Sequence, residues 1–293
     1  MSARRVVIIG DVMLDVVVKR SGPLARTSDT PARVRISRGG SGANLSVALG
    51  DAGHHVVYVG ACGDDAPRQI FVEELAASGV SSNLQVTSAA TGVVVALVDE
   101  DGQRAMLTDR GANPLLTEIF VMRQLNEPFD HLHVSGYTFL DPATRDLGSA
   151  ALRYARETGR SSSVDVCSVG PLTDVTPEIF LEATRESGML FANEEEALVL
   201  SRRGDVDDAL TELSEKFDEV VITRGPRGAI ASCANERVSV ASLGSNVVDT
   251  TGAGDAATGA YLGARLRGAS LGGALERAMA ASAEVVRVLG ARG

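Results

Sequence analysis

A glycine-rich turn that runs into a carboxylate is the feature of this sequence that points most directly to chemistry, since residues 249–255 read DTTGAGD. Glycines just before a helix leave backbone N–H groups free to face an anion, and the helix dipole adds to the attraction. Asp255 is unexpected at such a turn, because its charge repels a phosphate. A carboxylate is useful there if it takes a proton from a hydroxyl that attacks a phosphoryl group. The pattern therefore predicts phosphoryl transfer with Asp255 as general base or, as the alternative, a helix that Asp255 merely caps.

Two other nucleotide-binding motifs compete for this loop. Residues 252–257 match GxGxxA, a variant of the dinucleotide-binding motif, but the helix-like stretch that follows fits poorly with a whole βαβ unit. A dehydrogenase is therefore the weaker interpretation. A Walker P-loop is excluded, because the only lysines, Lys19 and Lys216, precede Arg and Phe rather than standing in GK[ST].

Three further groups of residues could bind ligands. The segment GGSGAN at 39–44 precedes a helical stretch, and its Asn44 could bind the hydroxyls of a polyol or simply stand early in the helix. The segment NEEE at 193–196 follows an apolar strand, where carboxylates suit Mg²⁺, although acidic first turns of helices are also common. His131 and His133 share one face of a predicted strand and could bind a metal, but no third ligand stands near them in sequence.

The composition describes an acidic globular protein. Of the 293 residues, 44% are hydrophobic, which is enough for a core, and the length predicts two domains or one large α/β domain with an appendage. The net charge of −10 argues against nucleic-acid binding. Three cysteines without a CxxC pair favour a reducing cytoplasm, and no stretch approaches the ~18 apolar residues of a membrane span. The apolar run at 6–9 is too short for a signal peptide.

Apolar strands alternate with amphipathic helical stretches along most of the chain. This rhythm predicts an α/β fold with a largely parallel sheet covered by helices on both faces. Two β-rich inserts, residues 11–37 and 86–110, break the rhythm, and the second contains a hairpin signal around an acidic turn. We interpret the inserts as a small β-sheet lid over a main domain formed by residues 1–10, 38–85 and 111–293.

Taken in order, these segments resemble the ribokinase-like (PfkB) carbohydrate kinase family over nearly the whole chain. The resemblance is carried by GDVMLD at 10–15, GGSGAN at 39–44, VGACGDD at 59–65, TGVVVALVDEDG at 91–102, RGAN at 110–113, NEEE at 193–196, VITRGPRG at 221–228 and DTTGAGD at 249–255. The order of GGSGAN and DTTGAGD is highly specific. The resemblance implies a ribokinase-like fold and phosphoryl transfer from ATP to a hydroxymethyl group of a sugar or related alcohol.

The resemblance also implies roles for individual residues. Asp255 would deprotonate the acceptor hydroxyl, and the turn formed by Gly252, Ala253 and Gly254 would supply the anion hole, whose donors are typically worth ~3 kcal/mol each. The other matching positions are Asp15, Gly40, Ser41 and Asn44 for the acceptor; Asn193, Thr223, Gly225 and Gly228 for ATP; Glu196 for Mg²⁺ through water; and the backbone oxygens of Asp249 and Thr251 for a monovalent cation such as K⁺.

The acceptor remains open among several classes. Ser41 replaces the lysine of the ribokinase motif GGKGAN, which argues against strict ribose specificity. A nucleoside needs an aromatic stacking partner, and the lid segments contain none, so that only Tyr137 and Phe139 could serve and a sugar is favoured. A 2-keto-3-deoxy sugar acid stays in consideration, because Arg104 or Arg110 could pair with its carboxylate.

Two further expectations concern the protein as a whole. Lids of this family often form a clasp between subunits, so the resemblance implies a homodimer through the lid. A sugar-binding module without catalysis is the non-enzymatic alternative. It would be favoured by loss of the base, but Asp255, Asn193 and Glu196 are all present.

Overall fold

The computed structural model describes residues 3–25, 27–98, 104–244 and 250–287. Within these ranges the chain forms a large central sheet with helices on both faces and a smaller sheet beside it. The predicted α/β fold class is therefore confirmed. No helix in the same ranges is long and apolar enough to cross a membrane.

The central sheet has nine strands among the described residues. From one edge to the other they are Glu236–Val240 (β13), Ala229–Cys233 (β12), Glu219–Thr223 (β11), Met189–Asn193 (β10), Ser161–Asp165 (β9), His131–Val134 (β8), Arg5–Ile9 (β1), His55–Cys62 (β4) and Ser81–Val86 (β5). Pairing is parallel from β5 to β11, and β12 and β13 add an antiparallel edge. Residues 6–9 of β1 are at most 1% exposed, as expected for a parallel sheet covered on both faces.

Helices cover both faces of this sheet and enclose two apolar cores. One face carries Ser41–Asp51 (α1), Ala66–Ala77 (α2), Ala253–Leu266 (α10) and Leu271–Val285 (α11). The other face carries Glu118–Leu125 (α3), Tyr137–Leu140 (α4), Arg145–Glu157 (α5), Val169–Val175 (α6), Pro177–Thr184 (α7), Glu194–Ser201 (α8) and Val206–Ser214 (α9). Short 3₁₀ turns occupy Asn113–Leu115 and Gly225–Arg227.

The smaller sheet is the predicted lid structure. It is formed by Met13–Arg20 (β2), Ala32–Gly39 (β3), Gly92–Val98 (β6) and Arg104–Asp109 (β7), in the order β3-β2-β6-β7. The antiparallel pairing of β6 with β7 confirms the predicted hairpin, whose acidic turn begins at residue 99, outside the described residues. Strand β3 continues to residue 39, past the end of the first insert at 37, and the division into domains stays a prediction.

The parallel strands bring chemically active residues to one edge of the sheet. Asp11 follows β1, Asp165 ends β9, Asn193 ends β10 and Thr223 ends β11. The carboxyl ends of parallel strands lie at the same edge, which is where open α/β sheets bind ligands. The lid strands follow the carboxyl ends of two strands of the main sheet, with β2 and β3 after β1 and β6 and β7 after β5.

Candidate active site

A cavity of about 340 Å³ lies between the lid and the carboxyl ends of the central strands. The predicted site residues that line it are Asp15, Gly40, Ser41, Asn44, Tyr137, Asn193, Glu196, Thr223, Thr251, Gly252, Gly254 and Asp255. Ala253, Gly225 and Gly228 belong to turns beside the cavity and do not line it. Asp249 and the side chain of Arg104 lie outside the described residues. Four segments that are far apart in sequence, around residues 15, 40, 193 and 255, therefore meet in one space.

The DTTGAGD turn opens helix α10. Gly252 is the N-cap, with a φ of 74° in the left-handed region that favours glycine, and the helix begins at Ala253. Asp255 is thus the third helical residue, and the alternative in which Asp255 caps the helix is wrong. A Cβ added to Gly254 would meet no atom within 4 Å, so the turn is open where it faces the cavity.

The two backbone donors of this turn differ. The Ala253 N–H donates to the Thr250 carbonyl at 3.3 Å, so it closes the turn itself. The Gly254 N–H forms no hydrogen bond within the described ranges. A free N–H at the positive end of a helix dipole is a donor for an anion.

Asp255 is held by two side chains of helix α1. Ser41 Oγ donates to Asp255 Oδ1 at 2.7 Å, and Asn44 Nδ2 donates to Asp255 Oδ2 at 2.8 Å. Removal from solvent raises the pKa of Asp255 to about 6, against the lowering effect of these two hydrogen bonds, and the charge of Asp165 also raises it. The group is therefore a stronger base than an ordinary aspartate and is still mostly ionised at pH 7.

Close packing of α10 on α1 makes these contacts reachable. A Cβ on Gly259 would lie 2.5 Å from the Cβ of Ala48, and one on Gly263 would lie 2.9 Å from the Cβ of Ala52. The small residues of α10 therefore let this helix pack closely against a neighbouring element. The neighbour is the helix that carries Ser41.

Asp15 reaches the cavity from the lid strand β2. Its pKa is raised to about 6. Burial is the largest cause and the nearby charge of Asp255 adds to it, while Arg38 opposes the shift. Arg38 is itself buried and donates through Nη1 to Asn44 Oδ1 at 2.9 Å, which orients the amide that holds Asp255. Asp15 and Asp255 therefore lie close enough in the cavity for their charges to interact.

Arg110 lines the cavity but is already paired. Its Nη2 lies 2.8 Å from both carboxylate oxygens of Asp11, and its Nη1 lies 3.0 Å from Asp141 Oδ2. One guanidinium therefore serves two carboxylates. The proposed pairing of Arg110 with a substrate carboxylate would have to break these contacts.

Asn193 and Glu196 form a capping box at the start of α8. Asn193 Oδ1 accepts the Glu196 N–H at 2.9 Å, and Glu196 Oε2 accepts the Asn193 N–H at 2.8 Å. Burial raises the pKa of Glu196 to about 7, the Asn193 N–H opposes this, and Asp165 and Asp255 add to it. The second carboxylate oxygen, Oε1, makes no hydrogen bond in the part of the chain described. A divalent cation would offset the clustered negative charge here.

The nucleotide-side loop follows β11. Thr223 pairs in register with Asn193, which brings the two predicted ATP-binding residues side by side. Gly225 and Gly228 have φ values of 54° and 85°, and a Cβ on Gly228 would lie 2.0 Å from the carbonyl oxygen of Val240. Glycine at 228 is therefore required for the close approach to β13.

Asp165 is a site residue that the motifs did not reveal. Its Oδ2 lies 2.9 Å from Ser41 Oγ, and its Oδ1 accepts the Gly136 N–H at 2.8 Å. His133 Nε2 lies 3.6 Å from Oδ1. The only sequence signal is an aspartate at the end of a short, serine-rich strand, which is also the position of many non-functional residues.

The two histidines do not form a metal site. Their ring nitrogens contact serines of β9, with His131 between Ser161 and Ser163 and His133 Nδ1 at 2.9 Å from Ser163 Oγ. Across the described ranges, no group of three or more His, Cys, Asp and Glu side chains is arranged to hold a metal ion. The histidines instead tie β8 to β9.

The two aromatic residues expected near the acceptor differ in position. Tyr137 lines the cavity at the start of α4. Phe139 does not, because it is completely buried and packs edge to face against Phe180 in the core. Of the two residues that could stack against a base, only Tyr137 is therefore in a position to do so.

The match to known families agrees with this geometry. Residues 3–293 match the pfkB family of carbohydrate kinases. The chain belongs to that family, and the resemblance predicted from the motifs is confirmed.

Proteins with similar sequences and structures are sugar and nucleoside kinases. Fructokinase-2 of rice (Oryza sativa subsp. japonica) is 27% identical over 267 residues, which is 88% of this chain and 78% of the rice protein. The adenosine kinase structure from Sinorhizobium meliloti covers 100% of this chain and 96% of its own, with 25% identity and a TM-score of 0.89. A candidate ribokinase II from E. coli, in complex with ATP and Mg²⁺, covers 98% and 94%, with 25% identity and a TM-score of 0.86.

Proposed function

We propose that this protein transfers the γ-phosphoryl group of ATP to a hydroxymethyl group of a sugar, with Asp255 as the general base. The position of Asp255 carries the proposal. A carboxylate of raised proton affinity lines the cavity beside the Gly254 N–H, which forms no hydrogen bond with the residues that the structure describes, and two side chains of α1 hold the carboxylate. A turn that only bound phosphate would not place a negative charge there.

The reaction follows from these groups. At pH 7 Asp255 is mostly ionised, since its pKa is about 6, and it can accept a proton. The O–H bond of the acceptor breaks as its oxygen bonds to the γ-phosphorus, and the bond from phosphorus to the bridging oxygen of ADP breaks. The proton goes to Asp255, and the Gly254 N–H and the dipole of α10 stabilise the charge on the transferring group.

The residues at the other end of the cavity fit a magnesium nucleotide. ATP would lie along Asn193, Thr223 and the turn from Gly225 to Gly228, at the ends of β10 and β11. Glu196 would hold Mg²⁺ through water, since Oε1 is free of hydrogen bonds within the described residues. The ion would neutralise phosphate charge. The backbone oxygen of Thr251, with that of Asp249, would hold a monovalent cation such as K⁺.

A neutral sugar is the acceptor class that the charges favour. The acceptor end of the cavity carries the carboxylates of Asp11, Asp15 and Asp255, and Arg110 is already shared between Asp11 and Asp141. An anionic acceptor, such as a sugar acid, would be repelled there. Hydroxyl groups instead match the carboxylate and amide groups of Asp15 and Asn44.

A nucleoside is the second candidate, and the lid gives the reason. The cavity-facing side of the lid is apolar, with Met13, Val17, Val94 and Ala96 in its lining, and Tyr137 stands nearby. A flat base could be covered by such a surface, whereas a small sugar would leave much of it unused.

The first experiment is to measure ADP release from Mg-ATP with K⁺ present, across neutral sugars, sugar acids and nucleosides. Turnover with neutral sugars is expected; turnover with nucleosides alone would favour the second candidate, and turnover with sugar acids would contradict the charge argument. Silence across the panel with ATP binding intact would favour the non-catalytic sugar-binding module.

The same assay tests the base. Asp255→Asn is expected to lower kcat by roughly 10²- to 10⁴-fold, the usual contribution of a positioned general base. Asp208→Asn is the matched control, because Asp208 is also the third residue of a helix but lies exposed on α9. Equal turnover by Asp255→Asn and Asp208→Asn would refute the assignment.

We also infer a homodimer through the lid. On the lid face that points away from the cavity, Ile36, Val16, Val95 and Leu107 pair in register across all four strands. Ile36 is 54% and Leu107 60% exposed, which is unusual for large apolar side chains in one row. The same face of a second copy would cover this row.

A cytoplasmic location is part of the proposal. Cys62, Cys167 and Cys233 are all free thiols in the structure, which suits a reducing compartment. Fractionation of the source cells is expected to recover the protein with cytoplasmic markers, and recovery outside the cell would contradict this.

A further inference from the structure

Ser41 stands between two carboxylates of the cavity. Its Oγ lies 2.7 Å from Asp255 Oδ1 and 2.9 Å from Asp165 Oδ2. A serine hydroxyl has one hydrogen to donate, and an ionised carboxylate can only accept. With both carboxylates ionised, one of the two contacts would set lone pairs against each other at hydrogen-bond distance. Both contacts are therefore hydrogen bonds only after one of the two carboxyl groups has taken up a proton, which is the state reached when the base has accepted the proton of the acceptor hydroxyl.

The surroundings of Asp165 keep that residue ionised. Gly136 N–H donates to its Oδ1 at 2.8 Å, and His133 Nε2 lies 3.6 Å from the same oxygen. The His133 ring is completely buried, and Nε2 has no hydrogen bond within the described residues. Burial raises the pKa of Asp165, but His133 and the Gly136 N–H outweigh it and lower the value overall.

The surroundings of Asp255 have the opposite effect. Its pKa is raised to about 6, chiefly by removal from solvent and further by the negative charge of Asp165. Of the two carboxyl groups that touch Ser41, Asp255 is therefore the one that takes the additional proton. Ser41 can then accept from Asp255 and donate to Asp165 at the same time.

We propose that Asp165 is a positioning residue for the phosphoryl transfer: held ionised by Gly136 and His133, and joined to Asp255 through Ser41, it draws the proton of the acceptor hydroxyl onto Asp255. This inference rests on the proposed function of Asp255 as base. It also gives Ser41 a role that the lysine of the ribokinase motif could not fill, since a lysine has no acceptor atom.

The proton balance of the step is complete. The acceptor O–H bond breaks as the new O–P bond forms, and the proton binds to Asp255 Oδ1. The Asp255 hydroxyl then donates to Ser41 Oγ, while the Ser41 hydroxyl donates to Asp165 Oδ2. The proton leaves to solvent when the product leaves, which restores the ionised base.

Several other charged groups act on Asp255, and they stay constant in the test below. They are Asp15 on β2, Arg38 on β3, which acts through Asp15 and Asn44, His133 on β8 and Glu196 on α8. Because none of them is altered when Asp165 is replaced, a shift in that variant reports on the effect of Asp165.

The test is a pH titration of carboxyl groups by NMR on the whole protein labelled with ¹³C-aspartate. Asp165→Asn keeps the side-chain shape but removes the negative charge, so the pKa of Asp255 is expected to fall by about one unit. The acid limb of kcat/KM is expected to move in the same direction.

His131→Gln is the matched control. His131 lies on the same strand and is as buried as His133, but its ring nitrogens hydrogen-bond to Ser161 and Ser163, whereas His133 Nε2 lies beside Asp165. His131→Gln is expected to leave the pKa of Asp255 unchanged, whereas His133→Gln is expected to raise the pKa of Asp165. If Asp165→Asn does not fold, the wild-type titration still decides, with the Asp255 signal assigned from Asp255→Asn.

Three results would overturn the inference. They are a wild-type protein in which Asp165 takes the proton before Asp255, an unchanged Asp255 titration in Asp165→Asn, and an equal shift in His131→Gln. Each is read without turnover. Full activity of Asp255→Asn would instead refute the proposed function, so the two failures are distinguishable.

Discussion

Two carboxylates of the cavity, Asp15 and Asp255, are placed where each makes the other harder to ionise. Both have a pKa raised to about 6 by burial, and each lies in the field of the other. Such an arrangement destabilises the folded protein at neutral pH, because an exposed aspartate in the unfolded chain ionises freely. The same rise in pKa makes Asp255 a stronger base, so the site gains reactivity while the folded protein loses stability.

The pH dependence of stability follows from the sign of these shifts. The pKa of Asp15 is raised from 3.8, the ordinary value of an aspartate, to about 6 in the folded protein. Between these pH values the folded state binds more protons, so its stability falls as the pH rises, and the penalty is fully present above about 6. Asp15→Asn is therefore expected to raise the free energy of unfolding by about 1 kcal/mol at pH 7.5, with no gain below pH ~4.

Thermal unfolding at several pH values checks this expectation, with Asp130→Asn as a control of opposite sign. The pKa of Asp130 is lowered, first by the Arg5 N–H and then by Arg4, against the effect of burial. Its stabilisation is present above pH ~4 and is lost as the pH falls, so Asp130→Asn lowers the Tm at neutral pH. A lower Tm for Asp15→Asn at pH 7.5 would contradict the argument.

At this scale the sequence predicted some site residues and missed others for a physical reason. Asp255 and Asn44 stand in glycine-rich motifs, whose turn geometry makes them recognisable. Asp165 and His133 carry no such mark, because their roles come from strand neighbours that only the folded sheet provides. Arg110 was recognised as a cation, but its partners Asp11 and Asp141 lie on two distant segments.

At the scale of elements, the contact of α1 with α10 holds the base and its donors together. Ser41 and Asn44 lie on one helix and Asp255 on the other. Glycines at 259 and 263 let the helices approach. The distance between the helices therefore determines whether the hydrogen bonds to Asp255 form.

Replacing one of these glycines is expected to affect stability and turnover together. Gly259→Ala places a Cβ 2.5 Å from that of Ala48, which forces the helices apart and costs about 1–3 kcal/mol. It is also expected to lower kcat, because the donors move away from Asp255. Chemical denaturation and the ADP-release assay measure the two effects.

Gly272→Ala is the control in another helix. A Cβ there would lie 3.6 Å from Val238 Cγ1, an ordinary contact, and alanine favours a helix over glycine by up to ~1 kcal/mol. This variant is expected to be at least as stable as the parent. Equal stability of Gly259→Ala and Gly272→Ala would show that the helices do not depend on glycine for their approach.

The elements themselves could largely be predicted from the sequence. Buried apolar runs such as residues 6–9 and amphipathic stretches such as Arg145–Glu157 follow from periodicity alone. The reach of β3 to Gly39 could not, because its last residues are ordered by pairing with Met13 and Leu14 across the lid. The local sequence pattern of a strand does not show which other strand it pairs with.

At the scale of the whole molecule, the lid has two apolar faces with different neighbours. One face closes the cavity with Val17 and Ala96, while the other presents Ile36 and Leu107 to solvent. A four-stranded sheet with an apolar surface on its solvent-facing side is uncommon in a monomeric protein.

The oligomeric state is expected to depend on this outer face. Light scattering after size exclusion should give twice the chain mass for the parent and one chain mass for Ile36→Lys, since a charge would be buried in the row of four strands. Ile119→Lys is the control, because Ile119 is 70% exposed on α3, outside the lid sheet. A parent protein of one chain mass at high concentration would rule out the dimer.

The short passage from lid to helix has a mechanical consequence. Strand β3 ends at Gly39 and α1 begins at Ser41, so Gly40, with a φ of 95°, is the single joint between them. A movement of the lid about Gly40 would act on the first turn of α1, where Ser41 and Asn44 donate hydrogen bonds to Asp255. Closure of the lid over an acceptor would then favour the hydrogen bonds to Asp255, and opening of the lid would weaken them. The direct connection of β3 to α1 would in this way couple the orientation of the Asp255 carboxylate to the closure of the cavity.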